Sequence, residues 1–346
     1  MKKSSSIYTS DDRIADTLLE YFRIENSIVD PSKVSERDQS RIKRLDVEGQ
    51  RKSLIFKNVL DFIRDKAVSP IADTLKYEYF CKKLVSEGLL VQMGQSNLNL
   101  FSVGEYLTES YEESIAEYGG YTLLINGFKS VRDYCIRSVT PIETYTELED
   151  NGEHKGIGTA FYIGDNMFVT AKHVLKDTQK FRLLLDGEML NVTNITFSDD
   201  LKLDIALISV ESPKVLSLPA IRLGTGMVLD DIIAMGFPKI TSGISEVVVT
   251  TSGEIVAEDY IYSAGRRMHI INAKVKGGNS GGPILNSLGQ AVGIVTNDEL
   301  DEYNQGNVFG LAVPSEEITK ILNSTDKIVK PVRSHNGWSS FRKDNI

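Results

Sequence analysis

From residue 157 to residue 313 the chain reads as a succession of short apolar segments broken by turn signals. Segments 157–163, 167–171, 181–185, 190–197, 204–210, 231–236, 246–256, 268–275, 283–285, 291–296 and 307–313 have the length and residue types of strands. Many short strands at this spacing predict a barrel or a sandwich. One turn stands apart, Gly277-Gly278-Asn279-Ser280-Gly281-Gly282-Pro283, with apolar His269–Val275 before it and Ala291–Val295 after it. Its glycines leave Ser280 sterically open and permit the positive φ values that a tight loop needs. The backbone N–H groups of Gly278 and Ser280 could then point into one small space and hold a developing oxyanion. Linkers share the Gly-Ser-Gly pattern, but they lack the flanking strands and two partners that lie upstream.

The first partner is His173, in Val169-Thr170-Ala171-Lys172-His173-Val174, where an apolar strand ends. The second is Asp204, a carboxylate at the mouth of the apolar run Ile205-Ala206-Leu207-Ile208. A serine hydroxyl is a poor nucleophile at neutral pH and needs a base, and the base needs a carboxylate that fixes its tautomer. Asp199 and Asp200 rival Asp204 but sit in a polar run that reads as a turn. His154, His269 and His335 have no such partner pattern.

These residues, with Gly156-Ile157-Gly158-Thr159-Ala160-Phe161-Tyr162-Ile163 before them and Gly310-Leu311-Ala312-Val313-Pro314 after them, resemble the trypsin-like serine proteases. The HtrA (Deg) branch is the most similar, over roughly residues 135–325. The order His, Asp, Ser is that of the chymotrypsin fold. The resemblance implies two antiparallel β-barrels with the site in their cleft, His173 and Asp204 coming from the first and Ser280 from the second. It implies a polypeptide substrate, with His173, Asp204 and Ser280 as catalytic residues and Gly278 and Ser280 as the oxyanion hole. Walls of the specificity pocket are expected from Lys274, Lys276, Thr296, Asn297 and Asp298. Thr296 also matches a position whose hydroxyl supports the triad carboxylate, although an ordinary strand threonine would look the same. Digestive relatives carry aspartate where Asn279 stands. Asparagine cannot pair with a newly released amino terminus, so activation by cleavage is not expected, and the doubled Gly277-Gly278 suggests a switchable oxyanion loop instead.

Composition bounds the rest. A chain of 346 residues has the length of about two domains. Its net charge of −9 opposes general attraction to nucleic acid or to anionic membranes. With only Cys81 and Cys135, no disulfide framework is expected, and a reducing, cytoplasmic location follows as the default. No apolar run approaches the roughly 18 residues of a membrane span. No paired His/Cys spacing suggests a metal site, and the chemistry needs neither metal nor cofactor.

The first third reads differently. Ile14, Leu18, Leu19 and Phe22 make one apolar helical stripe, and further helices are expected over 53–66, 71–86 and 104–117. Residues 31–50 read as a loop or a solvated helix. Between the last two helices Glu87-Gly88-Leu89-Leu90 leads into two short strands, 89–92 and 98–102, a pattern that resembles a winged-helix module. Residues 31–110 hold 13 Lys and Arg against 11 Asp and Glu, too even a balance for strong phosphate binding. Contact with a regulatory protein partner is the expected role. The expected class is α+β multidomain: a helical domain over 1–125, a chymotrypsin-like double barrel over 126–325, and a polar tail over 326–346. Ser315 is expected to cap a closing helix. At this point two other functions stay open, a catalytically silent peptide-binding cleft and a DNA-bound regulator whose protease part cleaves itself or a partner.

Overall fold

The structure, a computed structural model, describes residues 13–66, 73–98, 101–147, 153–176, 178–198, 200, 202–239, 247–261, 265–296, 309–324 and 327–341. Two compact units divide the chain, Met1–Gly127 and Phe128–Ile346. Among the described residues no helix is long and apolar enough to cross a membrane.

The first unit contains α1 (Ile14–Tyr21), a hairpin of β1 (Lys43–Val47) and β2 (Gln50–Leu54), then β3 (Lys57–Asn58), α2 (Val59–Lys66), α3 (Thr74–Ser86), β4 (Leu90–Leu98), β5 (Phe101–Thr108), α4 (Glu113–Ala116) and α5 (Gly120–Asn126). Strands β3, β5 and β4, in that order, form an antiparallel sheet. The stripe of α1 is buried, and Tyr21, Phe62 and Tyr77 meet edge to face. Asp16 of α1 is buried too. Its carboxylate accepts from the backbone N–H groups of Tyr121 and Thr122 and from the Thr122 hydroxyl, at 3.1, 3.1 and 2.6 Å, at the start of α5. It is a helix cap supplied from far away in sequence.

Three expectations fail here. The helix expected over 53–66 starts only at Val59, because the Asn58 side chain caps it by accepting from Leu60 and Asp61 N–H. Residues 31–50 contain β1 rather than only loop. No helix opens at Gly104: β5 runs to Thr108, paired with β4 and burying Val103 and Tyr106.

The second unit opens with α6 (Phe128–Cys135). Then follow β6 (Val139–Glu147), β7 (Glu153–Gly164), β8 (Met167–Thr170), α7 (Lys172–Leu175), β9 (Lys180–Leu185), β10 (Glu188–Met189), β11 (Val192–Ser198) and β12 (Ala206–Val210). After them come β13 (Asp231–Gly236), β14 (Val249–Ile261), β15 (Arg266–Ile271), β16 (Pro283–Leu285), β17 (Ala291–Val295), β18 (Gly310–Pro314), α8 (Glu316–Asn323), β19 (Lys327–His335) and β20 (Trp338–Phe341). Two closed barrels result. In the first the order is β9-β20-β19-β11-β12-β8-β7-β6, closed by pairing of β6 with β9 and flanked by β10. The second is β13-β14-β15-β18-β17-β16. Phe168, Phe181, Leu183, Ile195 and Ile208 are among the fully buried residues of the first core. Ile232, Ile255, Ile271, Ile284 and Val292 fill the second. The double barrel expected from the resemblance is therefore present.

The tail is a correction. Residues 327–341, expected to be a polar extension, are β19 and β20, and they complete the first barrel. Pro331 sits at the point where β19 leaves β11 and begins to pair with β20. A residue without an N–H suits such a break in the ladder. The turn between the two strands is Asn336-Gly337, with φ of 49° and 75°, the pairing that a two-residue hairpin of this twist requires. Ser315 precedes α8 but makes no side-chain cap. Its hydroxyl donates to the Gly224 carbonyl instead.

Candidate active site

Strand register brings His173 and Asp204 together. In the antiparallel pair of β8 and β12, Thr170 stands opposite Ala206. The chain running on past Thr170 therefore lies beside the chain that leads into Ala206. His173, on the one-turn helix α7, meets Asp204 there. The His173 ring donates from Nδ1 to one carboxylate oxygen at 2.7 Å, and its backbone N–H donates to the other at 2.8 Å. The two bonds fix both the carboxylate and the imidazole plane, leaving Nε2 as the outward nitrogen.

The third partner of Asp204 comes from the other barrel. The Thr296 hydroxyl, one residue beyond β17, donates to the same oxygen that His173 Nδ1 uses. Burial pushes the Asp204 carboxyl up. The His173 hydrogen bond, the imidazole charge and the Thr296 hydroxyl outweigh it together and hold the group below the usual carboxylate range. Asp200 is paired with Arg266 instead. His154 and His335 are exposed. His269 is buried in the second barrel, where neither ring nitrogen has a hydrogen-bond partner among the described residues, and burial depresses its pKa.

The Ser280 loop is fastened on several sides. Gly281 N–H donates to Val295 at 2.8 Å, which extends the β16–β17 ladder and sets Thr296 beside the loop. Thr159 of β7 binds the loop twice: its N–H donates to the Ser280 carbonyl at 2.9 Å, and its hydroxyl donates to the Gly278 carbonyl at 2.7 Å. That hydroxyl also accepts from Phe237 N–H at 3.0 Å. The Thr159 carbonyl in turn accepts from the Thr170 hydroxyl at 2.7 Å, at the end of the strand that leads to His173. Gly278 has φ of +100°, and a Cβ there would lie 2.3 Å from the Phe237 carbonyl, so no other residue fits. At Gly281 a Cβ would lie 2.7 Å from Ala171 N, which shows how closely the serine loop approaches the histidine segment. Ser280 itself is 7% exposed. Neither Gly278 nor Ser280 gives its backbone N–H to an acceptor among the described residues.

The remaining expected residues are placed differently. Lys274 and Lys276 are both exposed, and Val275 between them packs on the second core. Asn297 and Asp298 lie outside the described residues. Asn279 is buried, and its Oδ1 has no hydrogen-bond partner among the described residues. Thr159 and Thr170 escape a reading of the sequence as functional residues. Both lie in strands, and only the folded register shows what their hydroxyls hold. Among the described residues no cluster of three or more His, Cys, Asp or Glu forms a metal site.

Known proteins resemble this chain over part of its length. The family model described as "Trypsin-like peptidase domain" matches residues 158–294. Serine endoprotease DegS of Haemophilus influenzae is 26% identical over 185 residues, covering 52% of this chain and 52% of that protein. Serine endoprotease DegS of Escherichia coli strain K12 is 28% identical over 178 residues, covering 49% and 47%. The probable periplasmic serine endoprotease DegP-like of Chlamydia pneumoniae is 31% identical over 178 residues, covering 48% and 33%. The chain thus spans about half or less of the length of these relatives. The crystal structure of a protease from M. tuberculosis in its active form superposes with a TM-score of 0.47 at 21% identity, over 56% of this chain and 82% of that one.

Proposed function

From the match of residues 158–294 to the trypsin-like peptidase domain and the similarity to HtrA/Deg serine proteases, we propose that the protein is a serine endopeptidase working through Ser280, His173 and Asp204. The observation that carries this reading is the Asp204 carboxylate, which receives the His173 Nδ1 and backbone N–H together with the Thr296 hydroxyl. A carboxylate so bound holds the imidazole in the tautomer that accepts a proton at Nε2. Ser280 Oγ attacks the scissile carbonyl while His173 takes its proton. The tetrahedral oxyanion is held by the Gly278 and Ser280 N–H groups. His173 then gives the proton to the leaving amine, and water repeats the sequence on the acyl-enzyme. Covalent labelling by a fluorophosphonate tests this. Wild type is expected to label and Ser280→Ala to stay unlabelled; labelling that survives the substitution would move the nucleophile elsewhere.

The first unit we read as a winged-helix module that contacts a protein. The order α1-β3-α2-α3-β4-β5, with the sheet arranged β3-β5-β4, supports the module. Leu75 and Tyr79 on α3 and Val91 and Met93 on β4 are exposed, which suits a protein surface better than a phosphate backbone. Retention of the full chain on DNA that weakens with salt would contradict this. The partner would act on the Gly277-Gly278 peptide, since one flipped peptide removes an oxyanion donor. Cys81 and Cys135, both buried free thiols, fit reducing surroundings.

A further inference from the structure

The second barrel carries a turn whose side chains serve neither its core nor the proposed hydrolysis. Residues 226–230 lead into β13, and their backbone is fastened on both sides. Asp230 N–H donates to the Met227 carbonyl at 3.1 Å, and the Asp230 carboxylate accepts from Met227 N–H at 2.7 Å. Leu229 N–H donates to the Ile255 carbonyl at 2.7 Å, and Ile255 N–H donates to the Asp230 carbonyl at 3.1 Å. On this fixed frame Met227, Val228 and Leu229 stand 70%, 47% and 77% exposed. Leu229 also has φ of 76°, a conformation that glycine takes without strain and leucine does not. An outward side chain returns little packing for that strain, which marks the turn as shaped for something outside the fold. Just past the turn, Asp231 of β13 stands directly opposite Glu254 of β14. Like charges in such a pair repel. Neither carboxylate has an ion-pair or hydrogen-bond partner among the described residues.

An apolar tip beside two unpaired carboxylates discriminates among occupants by charge. A second copy of this chain would bring the same carboxylates against these, and an anionic lipid surface would be repelled in the same way. A cationic polypeptide satisfies both features. Its ammonium or guanidinium group relieves the repulsion between Asp231 and Glu254, and an apolar neighbour covers the turn. We propose that the 227–229 turn, with Asp231 and Glu254, docks a polypeptide segment that carries lysine or arginine next to an apolar side chain. The surface lies at the far end of β13 from Gly236, where a Cβ would meet Asn279 of the serine loop at 2.7 Å. Along a strand of six residues that separation is about 17 Å. Docking here is therefore distinct from binding at Ser280 and does not depend on the proposed hydrolysis.

The test is fluorescence anisotropy of a short amidated peptide that alternates leucine with lysine, titrated with the full-length Ser280→Ala protein so that the probe is not consumed. Two matched peptides serve as controls, one with serine in place of leucine and one with glutamate in place of lysine. The leucine–lysine peptide is expected to bind one-to-one, about tenfold or more tighter than either control. Adding Leu229→Gly or Asp231→Asn should each weaken that binding about tenfold. Neither substitution should lower the thermal midpoint, since one relieves the strain at φ and the other the like-charge pair. Absence of binding, equal binding of the serine–lysine peptide, or binding indifferent to both substitutions would overturn the proposal. So would self-association of the protein that Leu229→Gly abolishes, which assigns the turn to a second copy. Partition onto neutral phosphatidylcholine vesicles that the same substitution abolishes would overturn it in favour of a lipid surface.

Discussion

At the scale of single residues, the site depends on hydroxyls and one carboxylate whose partners lie far away in sequence. Asp204 is held below its ordinary range, so its pairing contributes stability that is fully present above about pH 4, the value in an unfolded chain, and is lost as the pH falls through the folded value. Asp204→Asn removes that dependence. Thermal midpoints of the two proteins between pH 3 and 7 should differ most at neutral pH and converge on the acid side. A gap that widened in acid would contradict the assignment. Peptide hydrolysis by the variant should drop by about 10⁴-fold, the cost of losing the correct imidazole tautomer. Thr159→Val keeps the shape but deletes a hydroxyl that donates to Gly278 and accepts from Phe237. Leaving those buried groups unpaired costs about 1–3 kcal/mol each, and the fluorophosphonate labelling rate should fall by at least about tenfold. An unchanged rate would mean that the loop is held by the Thr159 backbone alone. The pairing of His173 with Asp204 was legible because such chemistry demands particular residue types on particular local patterns. Thr159 was not legible, because a threonine in a strand announces nothing until the opposing loop is in place.

Among the elements, those with alternating apolar faces could be read directly. Strands β7 to β18 fall close to the segments that the hydrophobic pattern marks out. The hairpin of β19 and β20 went unread for a physical reason. Most of β19 is exposed, and only Val332 in it is buried, so no alternation advertises a strand. The signal that was present is Asn336-Gly337, the strongest short-range mark of a hairpin. The hairpin is not ornamental, since β19 pairs with β11 and β20 with β9, and together they close the first barrel. Ending the chain after Ser324 would expose both edges and uncover the core that Val332 and Phe341 protect. The thermal midpoint should drop by roughly 10 °C or more, because each kcal/mol lost is worth about 2–4 °C in a domain of this size. An unchanged midpoint would show the barrel to be self-sufficient with six strands and an open seam.

The chain divides into a first unit of mixed helices and strands and a second that holds the double barrel. A fragment covering 128–346 is expected to unfold cooperatively on its own. If the first unit governs the oxyanion loop, that fragment should label with fluorophosphonate at a rate different from that of the full chain. Equal rates would reject that control. The first unit was the less legible half, since its short strands and its distant cap from Asp16 to α5 depend on contacts that no local pattern reveals. The closing hairpin has one more consequence, which concerns the order of events during synthesis. The first barrel begins at Val139 and is not complete until Phe341, whereas the second is encoded wholly between them, from Asp231 to Pro314. A chain emerging from the ribosome can therefore finish its second barrel while the first still waits for two strands, and long-range closures of this kind are slow. His173 and Asp204 sit on the barrel that waits. On the proposed mechanism, the serine loop is thus in place before its base is firmly seated, and closure of the last hairpin sets the moment at which the site is complete.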